Sequence, residues 1–343
     1  MAGGVIQRAV IMAGRSMLFA VCLSVSGFFT VRHVSGQDAS FSQFFTGQMH
    51  LNPAFAGSHD EPTVSVTFRD QWPGLGSSYI TYGLFYDQPV DLIHGGIGLI
   101  VMNDRQAGGV VQRMQAALIY SYHLQVSREW FVHAGLQAAC LRKQINTGAL
   151  VFPDMIDPLT GIQFPTGEII DDHATSMLDF STGILTSYRS FFGGIALHHL
   201  TRPNEAYNKS QTIRLHMRLS LQAGMNLYTG GLREDPRTLV ITPHLLLERQ
   251  MRYWQMVIGV NALKAPFLAG LRFRQDRLRG FDSFILMAGA SFTRWTAAYS
   301  YDITLPRYGV QRPLSGAHEI SLSLGFSYPE KSKRVRAIKC PRI

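Results

Sequence analysis

Residues 213–228 read IRLHMRLSLQAGMNLY. The odd positions are Ile213, Leu215, Met217, Leu219, Leu221, Ala223, Met225 and Leu227, an uncharged and almost wholly apolar set. The even positions are Arg214, His216, Arg218, Ser220, Gln222, Gly224, Asn226 and Tyr228. A helix repeats every 3.6 residues and would slip out of this phase within two turns, whereas a strand sends successive side chains to opposite faces. The stretch therefore predicts a β-strand with one lipid-like face and one polar face. That is the signature of a strand crossing a membrane in a barrel.

The same two-residue period recurs. In 318–328, Ile320, Leu322, Leu324, Phe326 and Tyr328 oppose Glu319, Ser321, Ser323, Gly325 and Ser327. In 267–274, Phe267, Ala269, Leu271 and Phe273 oppose Leu268, Gly270, Arg272 and Arg274. In 295–303, Trp295, Ala297, Tyr299, Tyr301 and Ile303 oppose Thr296, Ala298, Ser300 and Asp302. Fourteen candidate strands follow, at 63–72, 78–90, 95–106, 114–126, 129–146, 176–188, 190–200, 213–227, 237–250, 252–264, 266–276, 283–292, 295–304 and 317–328. An even number of antiparallel strands closes a bacterial outer-membrane barrel. Connections alternate tight and long, as barrel turns and loops do. Ser127-Arg128, Arg189, Ala265 and Thr293-Arg294 are tight and read as periplasmic, while 107–113, 147–175, 201–212, 277–282 and 305–316 are longer and read as outer loops. Two connections break the rule: 228–236 is long on the periplasmic side, and Gln250-Met251 is tight on the outer side.

Composition agrees with this class. Only 16% of the 343 residues are charged against about 25% in an ordinary soluble domain. A soluble β-sandwich would charge its outward faces, and these strands do not. A spanning helix needs about 20 apolar residues, and the longest apolar run, Met17–Val31, holds 15. Residues 1–36 instead read as a secretory signal, with Arg8 and Arg15, the apolar run, and the small-residue site Val34-Ser35-Gly36. Cleavage there removes three arginines and no acid, lowering the formal charge from +9 to +6. The remaining charges are interspersed, which does not suit nucleic acid. The mature chain keeps Cys140 and Cys340, too few for a disulfide framework.

The expected organisation is a signal peptide (1–36), an N-terminal plug-like segment (37–62), the barrel (63–328) and a basic periplasmic tail (329–343). Phe41, Phe44, Phe45, Met49, Leu51 and Phe55 make the 37–62 segment too apolar for a free tail, with turn chemistry from Asn52, Pro53 and Gly57. A fourteen-stranded lumen is too wide for wall side chains alone to fill. The segment is expected in that lumen or across its periplasmic mouth, as a fixed plug or, alternatively, as a gate. Arg69 and Gln71 share a face and are expected to point inward, with Asn103-Asp104-Arg105 nearby and Trp72 anchoring at the outer interface. Arg214, Arg218, Arg272 and Arg274 against Glu248 and Asp302 predict a mixed-charge lumen bracing a plugged barrel, or alternatively a selectivity lining.

Asp154, Asp157, Asp171 and Asp172 raise a calcium site, but the chain has no Dx[DN]x[DN]G loop. No zinc-ligand spacing, GxSxG, HExxH, Walker A loop or GxGxxG is present, so neither cofactor nor catalysis is expected. Cys140 reads as a lipid-facing filler. Cys340 is a candidate for intermolecular pairing, in a tail either disordered or docked on a periplasmic partner.

Several motifs carry a resemblance: QDASFSQFFTGQMHLNPAFAG (37–57), FRDQWPGL (68–75), GGIGLIVMNDRQAGG (95–109), SYHL (121–124), LVFPDMID (150–157), GGIALHHLTRPNE (193–205) and HEISLSLGF (318–326). In this order they resemble the PorP/SprF family of Bacteroidetes outer-membrane proteins of the type IX secretion and gliding system. The resemblance implies an integral outer-membrane platform for exporting or surface-attaching cargo proteins such as adhesins. It also implies partners: outer-membrane lipid, type IX components including a periplasmic peptidoglycan-binding lipoprotein, and a secreted or surface-anchored cargo. The alternative function is a channel or transporter for small or hydrophobic molecules.

Overall fold

The computed structural model describes residues 38–75, 78–146, 173–207, 212–229, 238–276, 280–304 and 316–326, and parts of 148–162. The expected signal segment, Glu168, Asp171, Asp172, Tyr328 and the tail with Cys340 lie outside the described residues. The chain divides into two compact units, Met1–Asp38 and Ala39–Ile343, and the strands among the described residues belong to the second.

The strands are β1 (Thr63–Gln71), β2 (Tyr79–Val90), β3 (Gly95–Gln106), β4 (Val111–Gln125), β5 (Trp130–Ile145), β6 (Ile156–Asp157), β7 (Gly161–Ile162), β8 (His173–Tyr188), β9 (Phe191–His198), β10 (Arg218–Met225), β11 (Leu227–Thr229), β12 (Leu239–Gln250), β13 (Tyr253–Lys264), β14 (Phe267–Asp276), β15 (Gly280–Ser291), β16 (Trp295–Thr304) and β17 (Ala317–Gly325). β6 and β7 form a small separate hairpin. The rest form one antiparallel sheet that closes twice over: β1 pairs with β17 from Thr63↔Gly325 to Gln71↔Ala317, and β10 bridges β9 and β12. β10 and β11 are two halves of one wall position interrupted at Asn226, so the wall is a closed fourteen-strand barrel.

Wall alternation follows the sequence. In β17, Glu319 and Ser321 are buried while Ile320 is 55% exposed; in β14, Arg272 is fully buried while Leu271 is 50% exposed. Exposed leucine, isoleucine and phenylalanine on a closed barrel make a lipid-facing band. Cys140 is exposed on that face with Leu136. No helix among the described residues is long and apolar enough to cross a membrane.

The near rim carries Thr63, Gln125, Trp130, Tyr188, Phe191, Lys264, Phe267 and Gly325, with tight turns between them. The far rim carries Gln71, Tyr79, Ile145, His173, His198, Arg218, Gln250 and Tyr253. The register explains a correction to the sequence reading. The wall strand starts at Arg218, not Ile213. Residues 213–217 instead belong to the loop above the far rim, where Asn204 and Arg214 form an isolated bridge, the Glu205 N–H donates to Ile213 O (2.7 Å) and the Leu215 N–H donates to Pro203 O (2.9 Å). A loop ladder has the same two-residue period as a wall strand. Leu215 is accordingly buried rather than lipid-facing, and Arg214 is exposed rather than lumenal.

Candidate functional site

The richest concentration of buried polar contacts lies where the chain before β1 meets inward-facing wall residues. Two residues below the far rim, Arg69, Arg274, Asp302 and Glu319 converge on Ser42 and Gln43. The backbone N–H groups of Ser42 and Gln43 donate to the two oxygens of Glu319, both at 2.7 Å. Arg69 donates to Glu319 (3.0 Å), Asp302 (2.8 Å) and Ser42 Oγ (2.7 Å); Arg274 donates to Asp302 and to Ser42 Oγ (2.8 Å). Ser42 Oγ–H donates to Asp302 (2.7 Å). The Gln43 amide is also satisfied: its nitrogen donates to Ser300 Oγ and Glu319 O, and its oxygen accepts from Ser321. Two guanidinium groups are thus matched by two carboxylates, and their mutual attraction and hydrogen bonds offset the cost of taking all four charges out of water.

From there the segment descends toward the near rim. Phe44 and Phe45 pack edge-on against the His244 ring, at 5.2 and 4.6 Å, beneath the Arg272 guanidinium. With Leu51 they join Phe192, Leu246 and Val257 in one apolar cluster. Phe41, Met49, Ala54, Phe55 and Ala56 join Phe85, Ile100, Leu141, Leu185 and Leu215 in another. A one-turn helix, α1 (Gln48–Leu51), follows, and Arg218 donates to His50 O (3.0 Å). Asn52 is fully buried. Its oxygen caps the Ala54 N–H (2.9 Å), and its nitrogen donates to Ile184 O and Ile195 O on β8 and β9. His198 donates to Leu51 O, Ser121 to Ala54 O and His123 to Ala56 O. Asp87 then takes the Gly57 N–H (3.1 Å) and His59 (2.9 Å).

Small wall residues make room for this backbone. A Cβ on Gly135 would strike Pro53 and Ala54, and one on Gly96 would strike Ala56 and Gly57, itself at φ +72° where glycine is favoured. At the far mouth Arg113 and Lys143 reach Glu205 (2.8 and 3.3 Å), and Lys143 lies over the Tyr207 ring. Burial, with Glu205 beside it and against Arg113, pushes the Tyr207 phenol up to about 12.

The structure brings Phe41, Phe44, Asn52, Pro53, Phe55 and Arg69 of the expected site together. It leaves Gln71 half-buried outside the network. Trp72 sits at the far rim at φ +61°, its N–H donating to Gly316 O and its ring against Tyr79. Asp104 accepts from Thr81 and Gln106 in a separate row, and Arg105 is exposed. Arg218, Arg272, Arg274, Glu248 and Asp302 are lumenal as expected. The sequence pattern does not single out Ser42, Gln43, Glu319, Ser121, His123 or His198. The signal that could find the cradle is inward glycine inside strands, at Gly96, Gly135, Gly183 and Gly194, which marks close backbone approach. No group of three metal-ligating side chains is present among the described residues.

A family model described as type IX secretion system membrane protein PorP/SprF matches residues 33–324. No curated protein matches the sequence. Solved barrels similar in fold include a FadL homologue of Pseudomonas aeruginosa, at 14% identity and a TM-score of 0.40 over 80% of this chain and 93% of that one. The KdgM porin, at 7% identity and 0.34, covers 77% and 99%. An engineered porin of Rhodopseudomonas blastica, at 7% and 0.32, has the same coverage.

Proposed function

The chain belongs to the PorP/SprF family of type IX secretion system membrane proteins, and from that premise we propose that it is a non-conducting platform for export or surface attachment of cargo proteins. It is a β-barrel of the outer membrane. In the proposed orientation the near rim, with its tight turns, faces the periplasm, and the far rim with its longer loops faces outward. The barrel holds a cargo protein on the outer side and contacts type IX components, including a peptidoglycan-binding lipoprotein, on the periplasmic side.

The observation that carries this reading is the occupation of the lumen by Ala39–Pro62. That segment is held from the far-rim ion network at Ser42 to Asp87 near the other rim. In this reading the segment is a fixed plug. A pore would need those buried bonds broken, and a transporter would need a passage past two apolar clusters. The test is affinity capture of the tagged protein from detergent-solubilised outer membrane, together with planar-bilayer recording. Recovery of type IX components with no conductance is expected. A barrel that emerges alone and conducts overturns the reading.

A further inference from the structure

We infer that the far-rim half of β8 is an open strand edge that receives an extended segment of the cargo polypeptide as an added β-strand. This rests on the platform reading and names its contact surface. From β1 to β8 the wall strands end level at the far rim along the hydrogen-bond rows: Gln71↔Tyr79, Ile80↔Arg105, Gln106↔Val111, Val111↔Ile145 and Ile145↔His173. Across the next seam the level breaks. β8 pairs with β5 along its whole length but with β9 only from Thr182 to Tyr188. β9 stops at His198, and the left-handed residues His199 (φ 59°) and Arg202 (φ 47°) turn the chain away. Among the described residues, His173 to Ser181 therefore have a strand neighbour on one side only.

The last contacts along that edge are the Leu200 N–H donating to Phe180 O (2.9 Å) and the Thr201 hydroxyl donating to Leu178 O (3.3 Å). Successive residues aim their backbone groups to alternate sides. The side that Phe180 O marks thus also carries the N–H of Leu178 and both backbone groups of Ser176 and Ala174. None of these has a hydrogen bond to a described residue. Exposed strand edges are usually blunted by lysine, proline or a bulge. The sequence here, HATSMLDFS, has neither lysine nor proline, and its one acid, Asp179, points inward to His199 (2.8 Å). An unblunted edge offers an alternating row of donors and acceptors that an extended peptide satisfies, with pockets for every second side chain. Outward positions of the guest would lie beside Ala174 and Leu178, which are exposed, and suit apolar side chains. Inward positions would lie beside Thr175 and Asp179 and suit polar ones.

A second copy of this chain does not fit. Two barrels in one membrane are related about the membrane normal, and their strands tilt about 35–45° from it. The two β8 edges would then cross at roughly 70–90°, whereas strands in a ladder are rotated by only about 20–25°. A flexible segment of another protein has no such restriction.

The test compares surface proteomes of the wild type, a gene-deletion strain, Ser176→Pro and Ser176→Thr. Proline removes an edge-facing N–H without touching the bonds to β5, so the barrel should keep its heat-modifiable migration. The cargo is defined as the surface protein that the deletion strain loses. Ser176→Pro is expected to lower it at least tenfold and Ser176→Thr to leave it unchanged. A photoreactive amino acid in place of Ser176, in the otherwise native barrel, is expected to crosslink to that same protein, which covers the case in which the proline variant misfolds. Normal cargo in a folded Ser176→Pro strain, or crosslinks only to this chain or a second copy, overturns the edge assignment and leaves the platform reading standing. A deletion strain that loses no surface protein overturns both.

Discussion

Glu319→Gln is the sharpest test of how the lumenal segment is held. The carboxylate is fully buried, and its two oxygens accept the Ser42 and Gln43 N–H groups at 2.7 Å and Arg69 at 3.0 Å. A glutamine of the same shape has one oxygen, so its NH2 must face a backbone donor. An orphaned buried donor costs about 1–3 kcal/mol. Arg69 also loses one of its two carboxylates, leaving Asp302 to serve Arg69 and Arg274 together. Removing one partner of a buried ion pair costs about 3–5 kcal/mol. Both ends of that pair stand on the wall, however, so its cost falls on the barrel whether or not the segment is seated, and the orphaned donor alone, about 1–3 kcal/mol, is the expected loss in seating the segment. That is roughly a 5- to 150-fold rise in the unseated fraction. Residues 39–62 contain no lysine or arginine but hold Phe41, Phe44, Phe45 and Phe55, so chymotrypsin is the probe. When unseating is fast relative to cleavage, the cutting rate follows the open population. The wild type should resist and Glu319→Gln should be cut at least about fivefold faster between Phe41 and Phe55, with the barrel still heat-modifiable. Equal resistance would refute the argument that this network seats the segment.

Deleting Ala39–Leu51 should convert a silent barrel into a conducting one in planar bilayers; a deleted, folded barrel that stays silent would mean that something else closes it. Asn52→Ala strips the Ala54 cap and two wall bonds from a fully buried site and should cost about 2–3 kcal/mol in thermal unfolding in detergent. Gly96→Val forces a side chain into Ala56 and Gly57 and should expose Phe55 to chymotrypsin while leaving cleavage at Phe41 slow. Arg189→Ala breaks an exposed pair with Glu129 and should leave stability within measurement error; a marked loss would show that near-rim charge carries structural weight.

The wall is legible in the sequence because a barrel strand obeys one local rule. The alternation through β14, β16 and β17 needs no knowledge of the partner strand, and each phase assigned from residues 267–274, 295–303 and 318–326 matches the burial in the structure. The rule fails at 213–217 for a physical reason: residues bridging back to 203–205 alternate as wall residues do, and only the turn at His199 decides which ladder they join. The lumenal segment is legible as to what it contains and not as to what it touches. Its phenylalanines announce burial, but Ser42 and Gln43 meet Glu319 across more than 270 residues of sequence, a pairing fixed by barrel closure alone. In the alternation, Glu319 is one more polar residue on the inward face of β17. Among the described residues, a carboxylate with no exposed surface needs donors from somewhere, and the wall supplies only Arg69. The two backbone N–H groups complete it, so seating the segment and closing the barrel satisfy the same charge.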